Sequence, residues 1–435
     1  MSVTLFPYQR EGVEFLAARK AALLADDPGL GKSIQSIRAC DAVSALYVLV
    51  ICPASVVENW KREIAKYREG DWSAFVVSYD RAVGADKAKI MAGWWDVCII
   101  DEGHYLKTIT AKRTKGIYGK NAAGGDDAII SRCGIVWTLS GTPMPNSAAE
   151  LFTHMRALAP DTVRSARTGL CWTHHQFMLR YCEQRRNGFA VQFFGAKNEA
   201  DLHGRLSGFM LRRRKEDVLK DLPPIRFAPL YLEASVKGLD AKEADEIRDV
   251  LANEGVEGLR RIAYDGGVSK LRRLTGMAKA KPASNWIKDW LENNPADKKL
   301  VVFAHHKDVI EQLYDDHRLH AVQVHGSMKQ RERQLSVDRL QTDPDVRIFI
   351  GQITAAGVGL TLTKATELLF VESSWVPAEN NQAAMRIHRI GQTEPCLVRF
   401  ATVAGSIDED IQRALARKME SIAAVIDGDT PQDLS

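Results

Sequence analysis

The stretch Leu23-Leu24-Ala25-Asp26-Asp27-Pro28-Gly29-Leu30-Gly31-Lys32-Ser33-Ile34 decides the fold. A short apolar run leads into a loop with two glycines, and a helical pattern begins where the loop ends. Such a loop turns its backbone N–H groups toward an anion, with the positive end of the helix behind them. In a loop of this kind the lysine reaches the β- and γ-phosphates of a nucleotide, and the hydroxyl after it holds Mg²⁺. We therefore expect ATP and Mg²⁺ to be bound by Pro28, Gly29, Leu30, Gly31, Lys32 and Ser33.

One position departs from the strict phosphate-loop pattern, because Asp26 stands where a glycine is required. An unrelated glycine turn ahead of a helix is the alternative. The remaining motifs of the chain must therefore decide between the two interpretations.

The composition is that of an ordinary globular protein. The chain has 435 residues, of which 45% are hydrophobic and 26% charged, and its formal net charge is +4. This length predicts two large domains or three smaller ones, and the mild positive charge permits a local nucleic-acid surface without requiring one. The seven cysteines form no C-x-x-C pair, which favours a reduced, intracellular setting. No signal-peptide pattern or long apolar run is present, so we expect a soluble protein without membrane association.

Apolar runs of strand type alternate with helical patterns in both halves of the chain. This alternation predicts an α/β fold with parallel sheets, whose ligands bind at the carboxyl ends of the strands. The runs are residues 46–52, 74–79, 97–100 and 134–139 in the first half, and residues 300–304, 321–325, 346–350, 367–371 and 397–401 in the second.

These runs predict two lobes. The first lobe covers residues 1–222 and includes a helical protrusion at about 150–222. A linker follows at 223–232. The second lobe covers residues 233–435, with a helical entry at about 237–265 and a C-terminal helix at about 406–425.

Two polar motifs follow strand-like runs of the first lobe. Asp101 and Glu102 come directly after residues 97–100, where one carboxylate can hold Mg²⁺ and its neighbour can orient the attacking water. A solvated acidic turn is the alternative, but the predicted sheet edge is the one that carries Lys32. After residues 134–139 comes a small loop, whose groups could sense the state of the nucleotide: Ser140, Gly141 and Thr142.

Arginines of the second lobe suggest a further part of the site. Arg386 and Arg389 are three residues apart, so on a helix they would share one face. Arginines offered from a second lobe are what an arginine-finger mechanism requires. A basic pair on the surface is the alternative.

Two basic clusters could contact a phosphodiester backbone. One comprises Lys107, Lys112, Arg113 and Lys115, and the other is the run 212–215. Charge runs are most often solvated faces, and the first cluster is the better candidate because it adjoins the acidic motif. Four other residues have loose zinc-like spacing and are interpreted as part of a structural helix: Cys171, His174, His175 and Cys182.

In this order the motifs resemble those of the Swi/Snf family of superfamily-two helicase-like ATPases. The Q motif and motifs I, Ia, II, III, V and VI match residues 6–9, 27–33, 52–60, 101–104, 139–146, 357–361 and 382–392, and residues 210–223 are similar to the family's inter-lobe segment. The resemblance implies two RecA-like lobes, ATP between them, and a track for double-stranded DNA. It also implies roles for the remaining site residues: Gln9 reads adenine, His104 takes part in catalysis, Gly359 binds ATP, Gln382 couples the lobes and Thr354 binds DNA.

Residues 302–307 and 353–356 look most like the annealing-helicase (HARP-like) branch, which rewinds or remodels forked DNA. Pro145 and Met385 depart from the family pattern, which places the coupling of the lobes in question rather than nucleotide binding. We expect a monomeric, compact bacterial or phage protein in the cytoplasm. Two rival functions stay open: a strand-displacing helicase or restriction-type motor, and an ATP-driven remodeller of a DNA-bound protein.

Overall fold

The computed structural model describes residues 4–120, 127–144, 147–187, 190–234, 245, 248–253, 267–356, 360–406 and 408–415. The chain divides into two compact units. The described residues of Met1–Lys220 belong to the first, and those of Asp221–Met419 belong to the second. No helix among the described residues is both long and apolar enough to cross a membrane.

The first unit is built on a sheet of six parallel strands. The strands are β1 (Ala21–Leu24), β2 (Tyr47–Cys52), β3 (Ser73–Ser78), β4 (Trp95–Asp101), β5 (Cys133–Leu139) and β8 (Met210–Leu211). They lie in the order β3-β2-β4-β5-β1-β8. The central strands are buried on both faces, as parallel strands covered by helices must be.

Helices cover both faces of this sheet. They are α1 (Pro7–Ala17), α2 (Lys32–Ala42), α3 (Val57–Tyr67), α4 (Tyr79–Ala82), α5 (Lys87–Ala92), α6 (Lys112–Tyr118), α7 (Phe152–Leu158), α8 (His174–Tyr181), α9 (Glu199–Leu206) and α10 (Lys215–Val218). Short 3₁₀ turns lie at Ala54–Val56, Gly103–Leu106, Ile129–Arg132, Ala148–Leu151 and Pro160–Val163.

The predicted helical protrusion at about 150–222 is not purely helical. It contains an antiparallel hairpin of β6 (Glu183–Asn187) and β7 (Ala190–Phe194), and its last part supplies β8 to the main sheet. The sequence pattern missed β8 because two residues are too few to show a period.

The apolar runs form strands because burial of their side chains stabilises the fold. In β4, residues Val97, Cys98, Ile99 and Ile100 are completely buried. Burying each such side chain stabilises the fold by about 1.5–3 kcal/mol, so the run is held between two helical layers. On α3 the apolar Trp60 and Ile64, four residues apart, are the buried positions, and the helix packs through them.

The second unit contains its own six-stranded parallel sheet. Its strands are β9 (Ile225–Leu232), β10 (Leu300–Ala304), β11 (Ala321–Val324), β12 (Ile348–Gln352), β13 (Glu367–Phe370) and β14 (Cys396–Val403). They lie in the order β11-β12-β10-β13-β14-β9. Two parallel sheets flanked by helices confirm the predicted α/β fold class.

The structure corrects the prediction of a linker at 223–232, because most of these residues form a strand. Residues Ile225–Leu232 form β9, which pairs in parallel with β14 along its whole length, from Ile225 opposite Cys396 to Leu232 opposite Val403. Pro223 and Pro224 suggested a break in the chain, but an edge strand tolerates the nearby prolines because one side needs no ladder partner.

The helices of the second unit are Gly267–Asn293, Lys307–His317, Gln330–Thr342, Ile353–Ala356 and Pro377–Ala384. The long helix Gly267–Asn293 is tied to β14 and the segment after it by Lys279, whose Nζ donates to both Asp408 carboxylate oxygens (3.1 and 3.0 Å) and to the Ala401 carbonyl (3.1 Å). Of the predicted helical entry, only residues 245 and 248–253 are described, and these are helical. The C-terminal helix is described over 408–415, and its remainder lies outside the described residues.

Candidate nucleotide-binding site

The carboxyl ends of four neighbouring strands meet at one edge of the first sheet. In the register of the sheet, Asp101 lies beside Leu139, Leu139 beside Leu24, and Leu24 beside Leu211. The loops that follow these four strands therefore start from one row. This arrangement brings together the phosphate loop, the acidic pair and the small loop 140–142.

The phosphate loop has the backbone shape that its glycines predict. Gly29 and Gly31 have φ values of +94° and +78°, in the left-handed region that favours glycine. Helix α2 begins immediately afterwards at Lys32. A Cβ atom at Gly31 would lie 2.6 Å from the Gln9 amide nitrogen, so no side chain fits there. The positive φ values and the helix that follows at once are the features of a loop whose N–H groups can face an anion.

Helix α1 contacts this loop through its first turn. The Gln9 Nε2 donates to the Leu30 carbonyl (3.2 Å), and the Gln9 Oε1 accepts from the Phe6 N–H (3.1 Å). The Tyr8 hydroxyl donates to the same Leu30 carbonyl (3.2 Å). Gln9 is buried, and its amide is fixed at both ends, which places it beside the loop that would hold the phosphates.

Lys32 turns back over its own loop. Its Nζ donates to the carbonyls of Asp26 (2.6 Å) and Asp27 (3.2 Å). Burial lowers the pKa of Lys32, while the charges of Glu102 and Asp26 act in the opposite direction. The loop after β5 lies next to it, because a Cβ atom on Gly141 would be 3.3 Å from the Lys32 Nζ.

The loop after β5 is held by a hydrogen bond within it and by contact with the phosphate loop. Ser140 is fully buried, and its hydroxyl accepts from the Thr142 N–H (3.2 Å). A Cβ atom on Gly141 would also lie 2.8 Å from Pro28, so this loop touches the phosphate loop directly. Contact of this kind is what a nucleotide-sensing loop needs.

The acidic pair is held by three donors around it. The Trp60 Nε1 donates to Asp101 Oδ2 (2.8 Å), and the Glu102 N–H donates to Asp101 Oδ1 (3.0 Å). The Tyr79 hydroxyl donates to the Asp101 carbonyl (2.6 Å). Burial and the neighbouring Glu102 charge raise the pKa of Asp101 to about 7. Two adjacent, half-buried acidic groups favour a cation near them.

The donor set fits Mg²⁺. Ser33, in the first turn of α2, offers a hydroxyl oxygen, and Asp101 offers a carboxylate whose charge is poorly compensated. Mg²⁺ prefers oxygen ligands and is usually held by one or two carboxylates together with substrate phosphates. These two residues therefore match the ligand chemistry that a bound magnesium nucleotide requires.

Glu102 and His104 lie next to each other at the end of β4. The two side chains approach to 3.3 Å between His104 Nδ1 and Glu102 Oε2. Glu102 has a φ of +53°, the left-handed conformation, which is costly for a residue with a Cβ atom. The strain is consistent with a turn that fixes the direction of this carboxylate.

A buried network around Asp26 was not foreseen from the sequence. Arg213 donates to both carboxylate oxygens of Asp26 (Nε, 3.0 Å; Nη2, 2.6 Å) and to Gln35 Oε1 (2.8 Å). The Gln35 Nε2 in turn donates to Asp26 (3.1 Å). The available signal was the carboxylate in place of a loop glycine, since a buried charge there needs a cation. Sequence could not supply the partner, which is 187 residues away.

The second basic cluster is largely turned inward, which corrects its interpretation as a phosphodiester contact. Arg212 forms an ion pair with Asp27 (2.8 Å) and donates to the Ala25 carbonyl (2.8 Å). The Lys215 N–H donates to the other oxygen of the Asp27 carboxylate (3.0 Å). The cluster follows β8, next to β1, and Arg212 and Arg213 therefore bond to residues at the start of the phosphate loop.

The first basic cluster lies beyond the acidic motif. Lys107 forms an ion pair with Glu150 (2.8 Å), and Arg113 lies over the Tyr105 ring at 5.5 Å. Lys112 is exposed at the start of α6. Their role in DNA binding remains a prediction.

In the second unit, Arg386 and Arg389 do not share a helical face, because the helix ends at Ala384. The backbone tightens to i→i−3 bonds at Arg386 and Ile387. The Gln392 side chain donates to the Ile387 carbonyl (2.9 Å), which a continuing helix would have used. The prediction of a shared helical face was therefore wrong.

The two arginines nevertheless reach the same segment. Arg386 is buried, and its Nη1 donates to the Leu360 carbonyl (3.4 Å). The Arg389 Nη1 donates to Thr361 Oγ1 (3.4 Å). This packs the segment after residue 359 against the end of the helix Pro377–Ala384. Gly359 and Pro145 lie outside the described residues.

The last two predicted residues also belong to the second unit. Gln382 is buried within the helix Pro377–Ala384. Thr354 is exposed and follows β12 directly, at the carboxyl edge of the second sheet. The predicted site residues thus form two groups, one in each unit.

A parallel sheet with a glycine-bearing phosphate loop after one strand and an Asp-Glu pair after a nearby strand defines a P-loop nucleotide-binding lobe of RecA-like type. The SNF2-related domain family matches residues 8–82 and 68–239, and the helicase conserved C-terminal domain matches residues 282–391. The two overlapping ranges of the SNF2-related match together cover more than half of the chain. The chain therefore belongs to the SNF2-related family of helicase-like ATPases, as the motifs predicted.

Similar proteins extend over nearly the whole chain. One is the SWI/SNF-related matrix-associated actin-dependent regulator of chromatin subfamily A-like protein 1 homolog of Caenorhabditis elegans, which is 30% identical over 97% of this chain and 62% of its own length. Another is the DNA annealing helicase and endonuclease ZRANB3 of Homo sapiens, 28% identical over 98% of this chain and 40% of its own length. The chain thus spans less than two thirds of these relatives.

Among solved structures, the Sulfolobus solfataricus SWI2/SNF2 ATPase core in complex with dsDNA is similar, with a TM-score of 0.43 and 21% identity. That alignment covers 99% of this chain and 94% of the other.

Proposed function

We propose that this protein is an ATP-dependent translocase or remodeller of double-stranded DNA. The observation that carries the proposal is the grouping of the phosphate loop, Lys32 and the Asp101–Glu102 pair at one sheet edge. Membership of the SNF2-related family supports it. Relatives whose names describe DNA annealing helicases support the rewinding of DNA as its mode of action.

The first unit would bind the nucleotide and prepare hydrolysis. The N–H groups of Gly29 to Ser33 and the Lys32 ammonium would hold the phosphates, and Gln9 would contact the adenine. Ser33 and Asp101 would hold Mg²⁺, which when bound neutralises phosphate charge. Glu102 would orient the attacking water, since phosphoryl transfer depends mainly on positioning and charge stabilisation.

The second unit would supply Arg386 and Arg389 to the developing charge once the two units close on ATP. Such arginines are worth roughly 10³- to 10⁵-fold in rate. Closure and reopening would shift the population of two conformations and advance one unit along the duplex. Ser140, Gly141, Thr142 and Gln382 would couple the nucleotide to this motion.

We further propose that DNA is held through its phosphates. Lys112 and Thr354 are exposed, and Lys107 and Arg113 lie near the acidic motif. A protein that moves along any sequence needs backbone contacts, whose affinity falls as salt rises. Binding should therefore weaken strongly with salt and depend little on base sequence.

The first test is ATP hydrolysis by the purified protein, alone and with duplex, forked or single-stranded DNA or with RNA. Stimulation by duplex or forked DNA is the expected result. Stimulation only by RNA or single strands would contradict the proposed substrate and favour a strand-displacing helicase. Absence of stimulation by any of them would favour the remodelling of a DNA-bound protein.

Variants then test the assigned roles. Lys32→Ala and Glu102→Gln should lower turnover by at least about 100-fold, because each removes a charge or group that acts on the transition state. Lys61→Ala is a matched control, since Lys61 is half exposed and pairs with its neighbour Glu58 on α3 at 2.6 Å. Normal turnover by Lys32→Ala would refute the assignment of the phosphate loop.

The contribution of the second unit has its own test. Arg389→Ala should abolish turnover and leave the affinity for ATP within a few-fold, because the arginine is proposed to act only in the closed state. Arg413→Ala, an exposed arginine of the same unit paired with Glu409 at 2.9 Å, is the control. Normal hydrolysis by Arg389→Ala would refute the two-unit mechanism.

Annealing and unwinding can be separated on one substrate. A partially unwound duplex with labelled strands should be closed in the presence of ATP, and the Glu102→Gln variant should not close it. Release of a single strand would instead indicate a strand-displacing motor.

A further inference from the structure

We propose that Arg213 is a positioning residue that couples the phosphate loop to the segment through which the chain leaves the first unit. This segment, residues 212–220, is called the exit segment below. The inference rests on the proposed binding of nucleotide at that loop. In this view the exit segment reports whether the loop holds a nucleotide.

The contacts of Arg213 join three separate parts of the site. Its guanidinium forms a bidentate ion pair with Asp26 at the start of the loop and a hydrogen bond to Gln35 on α2. It also donates to the Tyr8 carbonyl of α1 and lies 5.3 Å from the Tyr8 ring. The Asp26 carboxylate is fully buried and the Arg213 side chain is 10% exposed, so solvent does not compete for these bonds.

The backbone of the exit segment is bonded to the same loop. The Ala25 N–H donates to the Leu211 carbonyl (2.7 Å), and the Asp27 N–H donates to the Arg213 carbonyl (3.1 Å). The ladder between β1 and β8 thus continues past the ends of both strands. Arg212 adds an ion pair to Asp27 at 2.8 Å. Loop and exit segment therefore cannot move independently without breaking several buried bonds.

Lys32 connects this arrangement to the nucleotide. Its Nζ donates to the carbonyls of Asp26 and Asp27, the two residues whose carboxylates bind Arg213 and Arg212. A bound phosphate would draw the ammonium away from those carbonyls. The two residues that hold the exit segment would then lose their bonds to Lys32, and their position would change with nucleotide binding.

Coupling between two places is reciprocal: if a bound nucleotide alters the exit segment, a change in the exit segment must alter the affinity for the nucleotide by the same factor. A purely structural ion pair would behave differently. Its loss would lower the stability of the unit and leave unchanged the difference between the nucleotide-bound and nucleotide-free states. This distinction is measurable.

The experiment compares wild type with Arg213→Lys, which keeps the charge but loses the planar, bidentate geometry. Amide hydrogen exchange of residues 212–220 is followed with and without a non-hydrolysable ATP analogue and Mg²⁺. In wild type the analogue should change the exchange rates of this segment. In Arg213→Lys that change should be lost, and the Kd of the analogue should differ from the wild-type Kd by roughly tenfold.

Arg214→Ala is the matched control, because Arg214 is adjacent in sequence but pairs with Asp217 (3.1 Å) and Glu216 (3.4 Å) of its own segment. It should retain the wild-type response. Arg212→Lys is a second variant and should reduce the response as well, which keeps the test informative if Arg213→Lys does not fold. Urea unfolding of each variant measures the structural contribution separately.

Two outcomes would overturn the inference. If wild type binds the analogue but the exchange of residues 212–220 does not change, the coupling does not exist. If Arg213→Lys keeps the full response and only unfolds at lower urea concentration, the ion pair is structural. Failure of wild type to bind any ATP analogue would instead overturn the proposed function, and the inference with it.

Discussion

Replacing Asp101 with asparagine should stabilise the nucleotide-free protein above neutral pH while it destroys catalysis. Burial and the Glu102 charge raise the pKa of Asp101 from 3.8 to about 7. In the unfolded chain the group ionises near its ordinary pKa. Between these two values, each rise in pH ionises the unfolded chain before the folded protein, so the wild type loses stability over this window.

The magnitude follows from the two pKa values. A difference of about three pKa units corresponds to about 4 kcal/mol above pH 7. Asparagine removes this penalty. It also replaces one of the two oxygens that accept from Trp60 and the Glu102 N–H with an amide NH₂, which costs about 1–2 kcal/mol. The net expectation is a gain of about 2–3 kcal/mol at pH 8 and a loss of about 1 kcal/mol at pH 4, where the unfolded chain is already half ionised.

The assay is urea unfolding of both proteins at pH 4, 6 and 8, with a chelator and without nucleotide. The difference in unfolding free energy should change sign between pH 4 and pH 8. The control is Asp80→Asn, an exposed aspartate on α4, which should stay within about 0.5 kcal/mol of wild type throughout. A variant less stable than wild type at every pH would refute the view that Asp101 is held at an energetic cost.

Three further predictions concern the same lobes. Trp60→Phe removes the donor to Asp101, so Mg²⁺-dependent binding of nucleotide should weaken roughly tenfold. A titration of analogue binding with Mg²⁺ would check this prediction, and binding of the analogue without metal should be unchanged. Burial lowers the pKa of His154 from 6.5 to about 3. Acidification from pH 6.5 to 5 should therefore cost the wild type about 2 kcal/mol through this residue, and urea unfolding of His154→Gln should show a correspondingly smaller loss. Lys279→Met leaves Asp408 buried without its cation and should destabilise the second unit by about 3–5 kcal/mol, while an equal loss in the first unit would contradict the assignment.

Much of the fold could be predicted from the sequence because its signals are local. The apolar runs at 46–52, 97–100 and 300–304 coincide with strands or lie within them, since a segment buried on both faces must be apolar throughout. The position and backbone shape of the phosphate loop were predictable from its glycines, because only glycine takes positive φ without strain. The order of the motifs along the chain also indicated the family, since each motif is a short run of adjacent residues.

Other features escaped the sequence because they depend on partners far away in the chain. Residues Ile225–Leu232 follow two prolines and resemble a linker, yet they form an edge strand because β14 offers a partner for every residue. Arg386 and Arg389 have a helical spacing, yet the helix ends at Ala384, before both of them, and the backbone continues with i→i−3 bonds at Arg386 and Ile387.

The sequence by itself determined the chemistry of the site: the glycines, the lysine, the hydroxyl and the two carboxylates, each placed after an apolar run that must become a strand. Only the tertiary structure decided how that chemistry is held. It placed Trp60 on Asp101 and Arg213 on Asp26, because parallel strands distant in the chain end in one row and buried charges and polar groups there must find partners across it.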